Sequence, residues 1–366
     1  MKSTQSIRAV VDPAALRHNL RQVRRTAPAT RVMAVVKANA YGHGLVPAAR
    51  AFGEADGFAV ARLEEGLALR AAGLGNRILL LEGVLTREQI ALAARERFEL
   101  MVHSFHQLEL LDALAEAEPV AAWVKLDTGM NRLGFRLEEF AGAYERLCRH
   151  PRVRPAPTLT THLACADDRD RAAATRRQLA AFAEATAGLP GERSVANSAG
   201  VLAWPEARAD WVRPGLMLYG VSPFADGAST GAALGLRAAM SLRSEVIAVR
   251  TVHAGESVGY GGTWTARRET RTAVVAAGYG DGYPRSTRSG APVLVDGRRA
   301  ALIGRVSMDM ITVDVTDLPP VRVGAPVELW GREVPVEEIA AAAGAIPWDL
   351  LCGVSQRVAL EEVTSD

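Results

Sequence analysis

Cysteine is scarce: the 366-residue chain has three, Cys148, Cys165 and Cys352. Their wide spacing excludes a disulfide-stapled scaffold and matches no zinc pattern. Three reduced thiols in a cytoplasmic protein are expected, and no metal. No apolar run reaches the roughly 18 residues that a membrane-spanning helix needs. Nor does either sign of charge dominate. Lys plus Arg number 43 and Asp plus Glu 41, a net charge of +2, which gives no reason to expect nucleic acid or an anionic membrane as partner. The opening stretch MKSTQSIRAVVDPAAL carries Lys2 and Arg8 but lacks a continuous apolar core of signal-peptide length. A secretory leader is therefore not expected, and the cytoplasm is the expected compartment.

What is present is an alternation. Eight apolar runs recur through the first two thirds: RVMAVV (31–36), GFAVA (57–61), RILLLEGV (77–84), FELMVHS (98–104), VAAWVKLD (120–127), PTLTTHLAC (157–165), ERSVAN (192–197) and DWVRPGLMLYG (210–220). Most are continuously apolar rather than alternating, the mark of strands buried on both faces in a parallel sheet. Helical stretches rich in Ala, Leu, Arg and Glu lie between them, at 63–72, 137–149 and 169–187. Asp12-Pro13 reads as an N-cap followed by a first-turn proline. Thr86 with Gln89 and Ser104 with Gln107 read as capping boxes. Eight strands with helices between them is the count of a (β/α)8 barrel. A doubly wound open sheet fits the same pattern, because strand order is not written in one sequence.

Beyond about residue 234 the texture becomes strand-like: SEVIAVRTV, TRTAVVAAG, PVLVDGRRAALIG, MITVDV and APVELWG. Asp296-Gly297 is a hairpin turn signal, and one helix is expected at 336–343 after Pro335. The chain thus divides into an α/β barrel domain over 1–234 and a mainly β domain over 235–366. The first ten or so residues are candidates to pair with the second domain.

The segment AVVKANAYGHG (34–44) carries the sharpest chemistry. Lys37 directly follows a buried strand, where barrel enzymes place catalytic groups. The glycines after it allow the backbone to lie close to a ligand. A lysine in a largely apolar site loses hydration of its ammonium, which makes the nucleophilic amine accessible. Such an amine can bond an aldehyde cofactor. The same position also suits a lysine reaching from a strand end to water.

AVVKANAYGHG closely resembles the cofactor-lysine motif of alanine racemases, pyridoxal 5′-phosphate (PLP) enzymes of fold type III. The likeness continues in order through KLDTGMNRLGF (125–135), THLACADD (161–168), ANSAG (196–200), RPGLMLYG (213–220), VGYGGTW (258–264), GYGDGYPR (278–285) and GRVSMDM (304–310). The resemblance implies a barrel followed by a β domain, and a homodimer whose active sites draw on both subunits. It implies interconversion of L- and D-alanine, supplying D-alanine for bacterial peptidoglycan. Lys37 would be the Schiff-base lysine and serve the D enantiomer; Tyr260 would be the second base and serve the L enantiomer. A tyrosine titrates near pH 10, so it needs cations or donors nearby, and His162 and Arg132 are the candidates.

The resemblance assigns the cofactor phosphate to Tyr41, Ser198, Gly215 and Leu216, with Asn197 and His162 alongside. This agrees with the usual barrel phosphate site at the last two strand ends. Arg213 would face the pyridine nitrogen; it can only donate, and so makes the ring a weaker electron sink. Arg132 and the Met308 backbone would hold the substrate carboxylate, with Asp309 close by. Lys125 matches a lysine that is carbamylated in several family members; an unmodified lysine paired with Asp127 is the alternative. Asp167, Arg285 and Arg305 would line the substrate entrance. The chain departs from the family pattern at Ser307, Met310, Gln356 and Ala359, which bears on substrate size. Two other readings share the fold: a racemase of another small amino acid such as serine, and a non-catalytic PLP-binding protein. The latter has no counterpart of Tyr260 or of residues 235–366.

Overall fold

The computed structural model describes residues 6–112, 119–225 and 229–363. Lys2 and the outermost residues of both expected domains lie outside the described residues. Strand β1 (Arg8–Val11) is followed by eight parallel strands, β2 (Arg31–Val35), β3 (Gly57–Val60), β4 (Arg77–Leu80), β5 (Glu99–Val102), β6 (Ala121–Lys125), β7 (Thr158–Thr160), β8 (Arg193–Ser194) and β9 (Trp211–Val212). They form a closed barrel in chain order, sealed where Arg31 and Val32 of β2 pair with Trp211 and Val212 of β9. The open-sheet alternative is thereby excluded. Each strand falls inside one of the eight apolar runs. The runs outlast the strands, because their tails carry on across the buried rim of the barrel. Run 157–165 is strand only to Thr160, and run 210–220 only to Val212.

Helices pack outside the barrel as expected, at Leu63–Ala71, Leu137–Arg149 and Ala172–Ala185. Asp12 caps the first helix, Pro13–Thr26, by accepting from the Ala14 and Ala15 N–H groups. The Thr86 hydroxyl accepts from the Gln89 N–H, but Gln89 reaches back to Leu85 rather than to Thr86. Gln107 likewise accepts from His103 rather than Ser104. Each return bond lands one residue earlier than a capping box places it.

The N-terminal end of the barrel is plugged. Trp123 and Trp211 pack with ring centroids 5.6 Å apart, and their indole N–H groups donate to Glu99 and Glu192. Arg77 and Arg31 pair with those two carboxylates and lie over the Trp211 ring. A closed floor leaves the C-terminal rim as the end where a small molecule can enter.

The second domain holds β10 (Met240–Val252), β11 (Ser257–Val258), β12 (Trp264–Thr265), β13 (Thr270–Val275), β14 (Pro292–Val295), β15 (Arg298–Ile303), β16 (Ile311–Asp314), β17 (Pro326–Trp330) and β18 (Ala359–Glu362). The main sheet runs β13-β16-β15-β14-β17-β10-β1-β18, and β10 also pairs with β13, closing six strands into a ring. Asp296 and Gly297, both at positive φ, make the β14–β15 turn. The helix Val336–Ala343 follows Pro335 as expected. A further helix, Pro347–Cys352, was not legible in the sequence; it packs on the rim of the barrel beside Gly42. Strand β1 pairs antiparallel with β10 and parallel with β18, so the N-terminal strand belongs to the second sheet. Asp12→Ala removes the cap of the helix that leads from that strand into the barrel. The expected cost is about 1 kcal/mol, read as a lower urea midpoint of the cofactor-free protein without loss of far-UV ellipticity.

Candidate active site

One cavity of about 750 Å³ opens at the C-terminal end of the barrel. Lys37, Tyr41, Lys125, Arg132, His162, Asp167, Asn197, Ser198, Arg213, Gly215 and Leu216 all line it. These eleven come from the last residue of β6 and from the segments after β2, β6, β7, β8 and β9, distant in sequence and gathered by barrel closure.

The backbone after Lys37 is unusual. Ala38, Asn39, Ala40 and Tyr41 all sit at φ between 52° and 54°, a single left-handed helical turn made without glycine. Side chains other than glycine pay roughly 1–2 kcal/mol each in this conformation. The turn places Lys37 and Tyr41, four residues apart, on one cavity wall. Glu65 grips its start: one carboxylate oxygen accepts from the Ala38 N–H at 2.6 Å, the other from Ala61 and Arg62 at 2.8 and 3.1 Å. Asn39 accepts from the Leu45 N–H, and buried His43 lies within hydrogen-bond distance of the Ala40 and Tyr41 carbonyls. The Tyr41 ring stacks on Tyr219, whose hydroxyl donates to the Val35 carbonyl at 2.9 Å. Gly42, at φ 81°, lets the second domain close in, since a Cβ there would stand 2.0 Å from the Leu351 carbonyl.

An anion cradle lies opposite. Asn197 caps the helix Ser198–Ala203 by accepting from the Gly200 N–H. The Ser198 hydroxyl accepts from Gly215 and Met217 N–H at 2.9 and 3.3 Å. The short turn Leu216–Tyr219 begins here, so the Leu216 N–H has no carbonyl within the turn to accept it. The Tyr41 hydroxyl sits so near Gly215 that a Cβ at that position would meet it at 2.6 Å. Any side chain in place of Gly215 would fill the cradle.

Arg213 is buried beneath. Its guanidinium donates to the Thr160 and Ser194 hydroxyls at 3.0 and 2.5 Å and to the Thr161 carbonyl at 2.7 Å. Burial lowers it to about 10, which leaves it charged at neutral pH. It also meets His162 Nδ1 at 3.4 Å. Burial first, then the charges of Arg213, Lys125, Arg132 and Lys37, hold His162 well below its ordinary value, so the ring is neutral. Lys125 is pushed down to about 8 by burial and then by Arg213 and Arg132. Asp127 does not pair with it. Its Oδ1 accepts instead from the Gly129, Met130 and Asn131 N–H groups, shaping the loop. Among the described residues no carboxylate lies within ion-pair distance of Lys37, Lys125, Arg132 or Arg213. The lining beside Lys37 is largely apolar as expected, with Leu81, Met101 and Leu133 among it, and the same cavity also gathers these cations.

Five expected residues lie elsewhere. Tyr260, at the tip between β11 and β12, is 69 % exposed, and Met308 53 %. Asp309, Arg285 and Arg305 are exposed as well. All belong to the second domain and none lines the Lys37 cavity. Arg305 lies against Gly261, next to Tyr260. Arg357 braces the Met308–Asp309 loop, donating to Asp309 at 2.7 Å and to buried Asp281 at 2.8 Å. One chain thus carries two separate constellations.

The family model for the alanine racemase N-terminal domain matches residues 11–223, and that for the alanine racemase C-terminal domain matches residues 239–361. The chain belongs to the alanine racemase family. It is 49 % identical to the biosynthetic alanine racemase of Escherichia coli K12 over 359 residues, covering 98 % of this chain and 99 % of that one. Identity to the alanine racemase of Shewanella amazonensis is also 49 %, covering 96 % and 98 %. The solved biosynthetic alanine racemase of Pseudomonas aeruginosa superposes with a TM-score of 0.95 at 47 % identity, over 99 % of this chain and all of that one. An alanine racemase from Bartonella henselae, described with covalently bound pyridoxal phosphate, superposes at 0.86 with 30 % identity, over 98 % of this chain and 99 % of that one.

Family membership makes the chain a PLP-dependent isomerase, and its residues fit that cofactor. A lysine amine, a cradle that only glycine leaves open and a buried guanidinium without a carboxylate all face one cavity. The sequence reading missed Glu65, Thr160, Ser194, Tyr219 and Arg357. Glu65 reads as an ordinary first-turn helix glutamate, and the others act across long stretches of chain.

His162 and His43 are both depressed, His43 to about 4 by burial. The unfolded chain therefore takes up protons first on acidification. The stability these rings confer is full above about pH 6.5 and lost as the pH falls. His162→Asn is expected to flatten the decline of the urea midpoint between about pH 7 and 5; a decline as steep as in the parent would contradict the assignment.

Proposed function

We propose that L- and D-alanine are interconverted here by two bases on opposite faces of Cα: Lys37 of one subunit and the partner subunit's Tyr260. The observation that carries this reading is the split described above. Lys37 lines the barrel cavity and Tyr260 does not, while Tyr260 stands exposed on another domain of the same chain. A homodimer in which each tip enters the other chain's cavity completes both sites. A base on each face lets a proton leave one side and arrive on the other without turning the substrate over.

PLP, when bound, supplies an electron sink that acidifies the substrate Cα–H. This chain's residues do the rest. Lys37 Nζ is the covalent anchor and moves the proton on the D face. The Tyr41 and Ser198 hydroxyls and the Gly215 and Leu216 N–H groups would hold the phosphate, with Asn197 fixing the helix that presents Ser198. Arg213 would face the ring nitrogen as a donor and so keep it without a proton, which would moderate electron withdrawal and disfavour side reactions such as transamination.

Arg132 and the partner subunit's Met308 N–H hold the substrate carboxylate, with the partner subunit's Asp309 beside it. Arg132 and His162 favour the phenolate of the partner subunit's Tyr260. Because Arg213 donates to His162 Nδ1, the neutral ring carries its proton on Nε2, free to be given. Lys125, with an amine titrating near 8 and no carboxylate partner, adds to carbon dioxide: a C–N bond forms, a proton leaves, and the resulting carbamate anion holds Arg132. Asp167, with the partner subunit's Arg285 and Arg305, lines the substrate entrance.

The product serves bacterial peptidoglycan as its source of D-alanine. Three free thiols support a cytoplasmic setting. The division into 1–234 and 235–366 is supported by the gap between the two matched stretches, residues 224–238.

Two measurements test this. Lys37→Ala and Tyr260→Phe homodimers should each be nearly inactive in racemising L-alanine. Co-refolded, they should recover about a quarter of parental activity, since half the dimers are mixed and each holds one intact site. No recovery would overturn the shared site. Protein equilibrated with 13C-bicarbonate should show a carbamate carbon resonance that Lys125→Met lacks; its persistence in that variant would refute the modification at Lys125.

A further inference from the structure

The left-handed turn after Lys37 closes backbone bonds of its own, from the Gly42 N–H to the Ala38 carbonyl at 3.1 Å and from the Gly44 N–H to the Asn39 carbonyl at 3.0 Å, but alanine and tyrosine disfavour it. Something else must hold it, and two side chains outside the proposed cofactor contacts do so from its two ends. At the start, Glu65 spans two loops. Its carboxylate accepts from Ala38, the residue directly after Lys37, and from Ala61 and Arg62 at the end of β3. The lysine is thereby tied to the neighbouring barrel strand by one side chain. At the far end stands His43, fully buried. Its Nδ1 lies 2.9 Å from the Tyr41 carbonyl and 3.1 Å from the Ala40 carbonyl. Both partners only accept, so Nδ1 carries the proton. Nε2 is buried with no hydrogen-bond partner, as befits a neutral ring. The imidazole packs on Tyr219 at 4.6 Å, the same ring on which Tyr41 stacks at 4.8 Å.

We infer that Glu65 and His43 are positioning residues that hold the Ala38–Tyr41 turn left-handed, and so aim the Lys37 amine and the Tyr41 hydroxyl into one cavity. This rests on the reading of Lys37 and Tyr41 given above. Neither residue touches the reacting atoms. Each acts through backbone groups whose direction would reverse if the turn relaxed to the right-handed form.

The test uses the full-length cofactor-free protein and four variants: Glu65→Ala, Glu65→Gln, His43→Leu and His43→Asn. Amide hydrogen exchange across residues 38–44 reads the turn itself, without reference to the cofactor. PLP titration, followed by quenching of tryptophan fluorescence, reads the consequence. Glu65→Ala and His43→Leu are expected to exchange faster at 38–44 and to bind PLP at least about tenfold more weakly. Their thermal midpoints report any global loss separately. Asparagine offers Nδ2 near the position of Nδ1, so His43→Asn should bind PLP within about threefold of the parent. Glu65→Gln sets an amide NH2 against N–H donors and should behave more like Glu65→Ala.

Unchanged exchange at 38–44 in both Glu65→Ala and His43→Leu overturns the inference. So does faster exchange with undiminished PLP affinity. A His43→Asn variant as impaired as His43→Leu, with an equally lowered thermal midpoint, assigns His43 a packing role and also overturns its part. Borohydride reduction and peptide mapping keep the two readings apart. An adduct on a lysine other than Lys37 refutes the cofactor lysine, while the exchange data still decide whether Glu65 and His43 hold the turn.

Discussion

Crowded positive charge organises the cavity. Lys37, Lys125, Arg132 and Arg213 share it, and no carboxylate neutralises them at contact distance among the described residues. Concentrating like charges in a partly dry space is costly unless anions arrive. Burial first, and that field second, keep the His162 ring neutral and depress the Lys125 amine. The occupants proposed above are anions too: a phosphate, a carboxylate and, at Lys125, a carbamate. The site is thus poised for its ligands by repulsion as much as by shape. Arg213 tolerates burial because hydroxyls and carbonyls, which leave its charge intact, satisfy its N–H groups.

Much of the architecture could be read in advance, for identifiable reasons. Strands covered on both faces admit few polar residues, so most barrel strands stood out as apolar runs, while β7 (Thr-Leu-Thr) and β8 (Arg-Ser) were marked by the apolar residues around them. Asp296-Gly297 could be read because few residue pairs suit two successive positive φ angles. The ends of the strands could not, since rim loops that wall a buried cavity are as apolar as the strands they follow. The helix Pro347–Cys352 also escaped notice, being too short to show periodicity.

At the site, residue types with distinctive chemistry were found and residues that act through backbone groups were not. Lys37 and Arg213 announce themselves by motif. Glu65 does not, because a glutamate in the first turn of a helix is commonplace and its reach to Ala38 crosses 27 positions. The left-handed turn was equally hidden: Ala-Asn-Ala-Tyr carries no local signature for it, and the conformation is imposed by contacts from Glu65, His43, Tyr219 and the second domain. Sequence chemistry identified groups that the structure gathers in one cavity, and the tertiary structure supplied what aims them.

The placement of β1 has a consequence for how the molecule is assembled. Its neighbours β10 and β18 lie more than two hundred and about three hundred and fifty residues downstream. Strand β1 therefore pairs only after all eight barrel strands and the start of the second domain have been made. The polypeptide closes on itself like a belt whose buckle is β1, and the barrel is strapped to the second lobe from both of its ends.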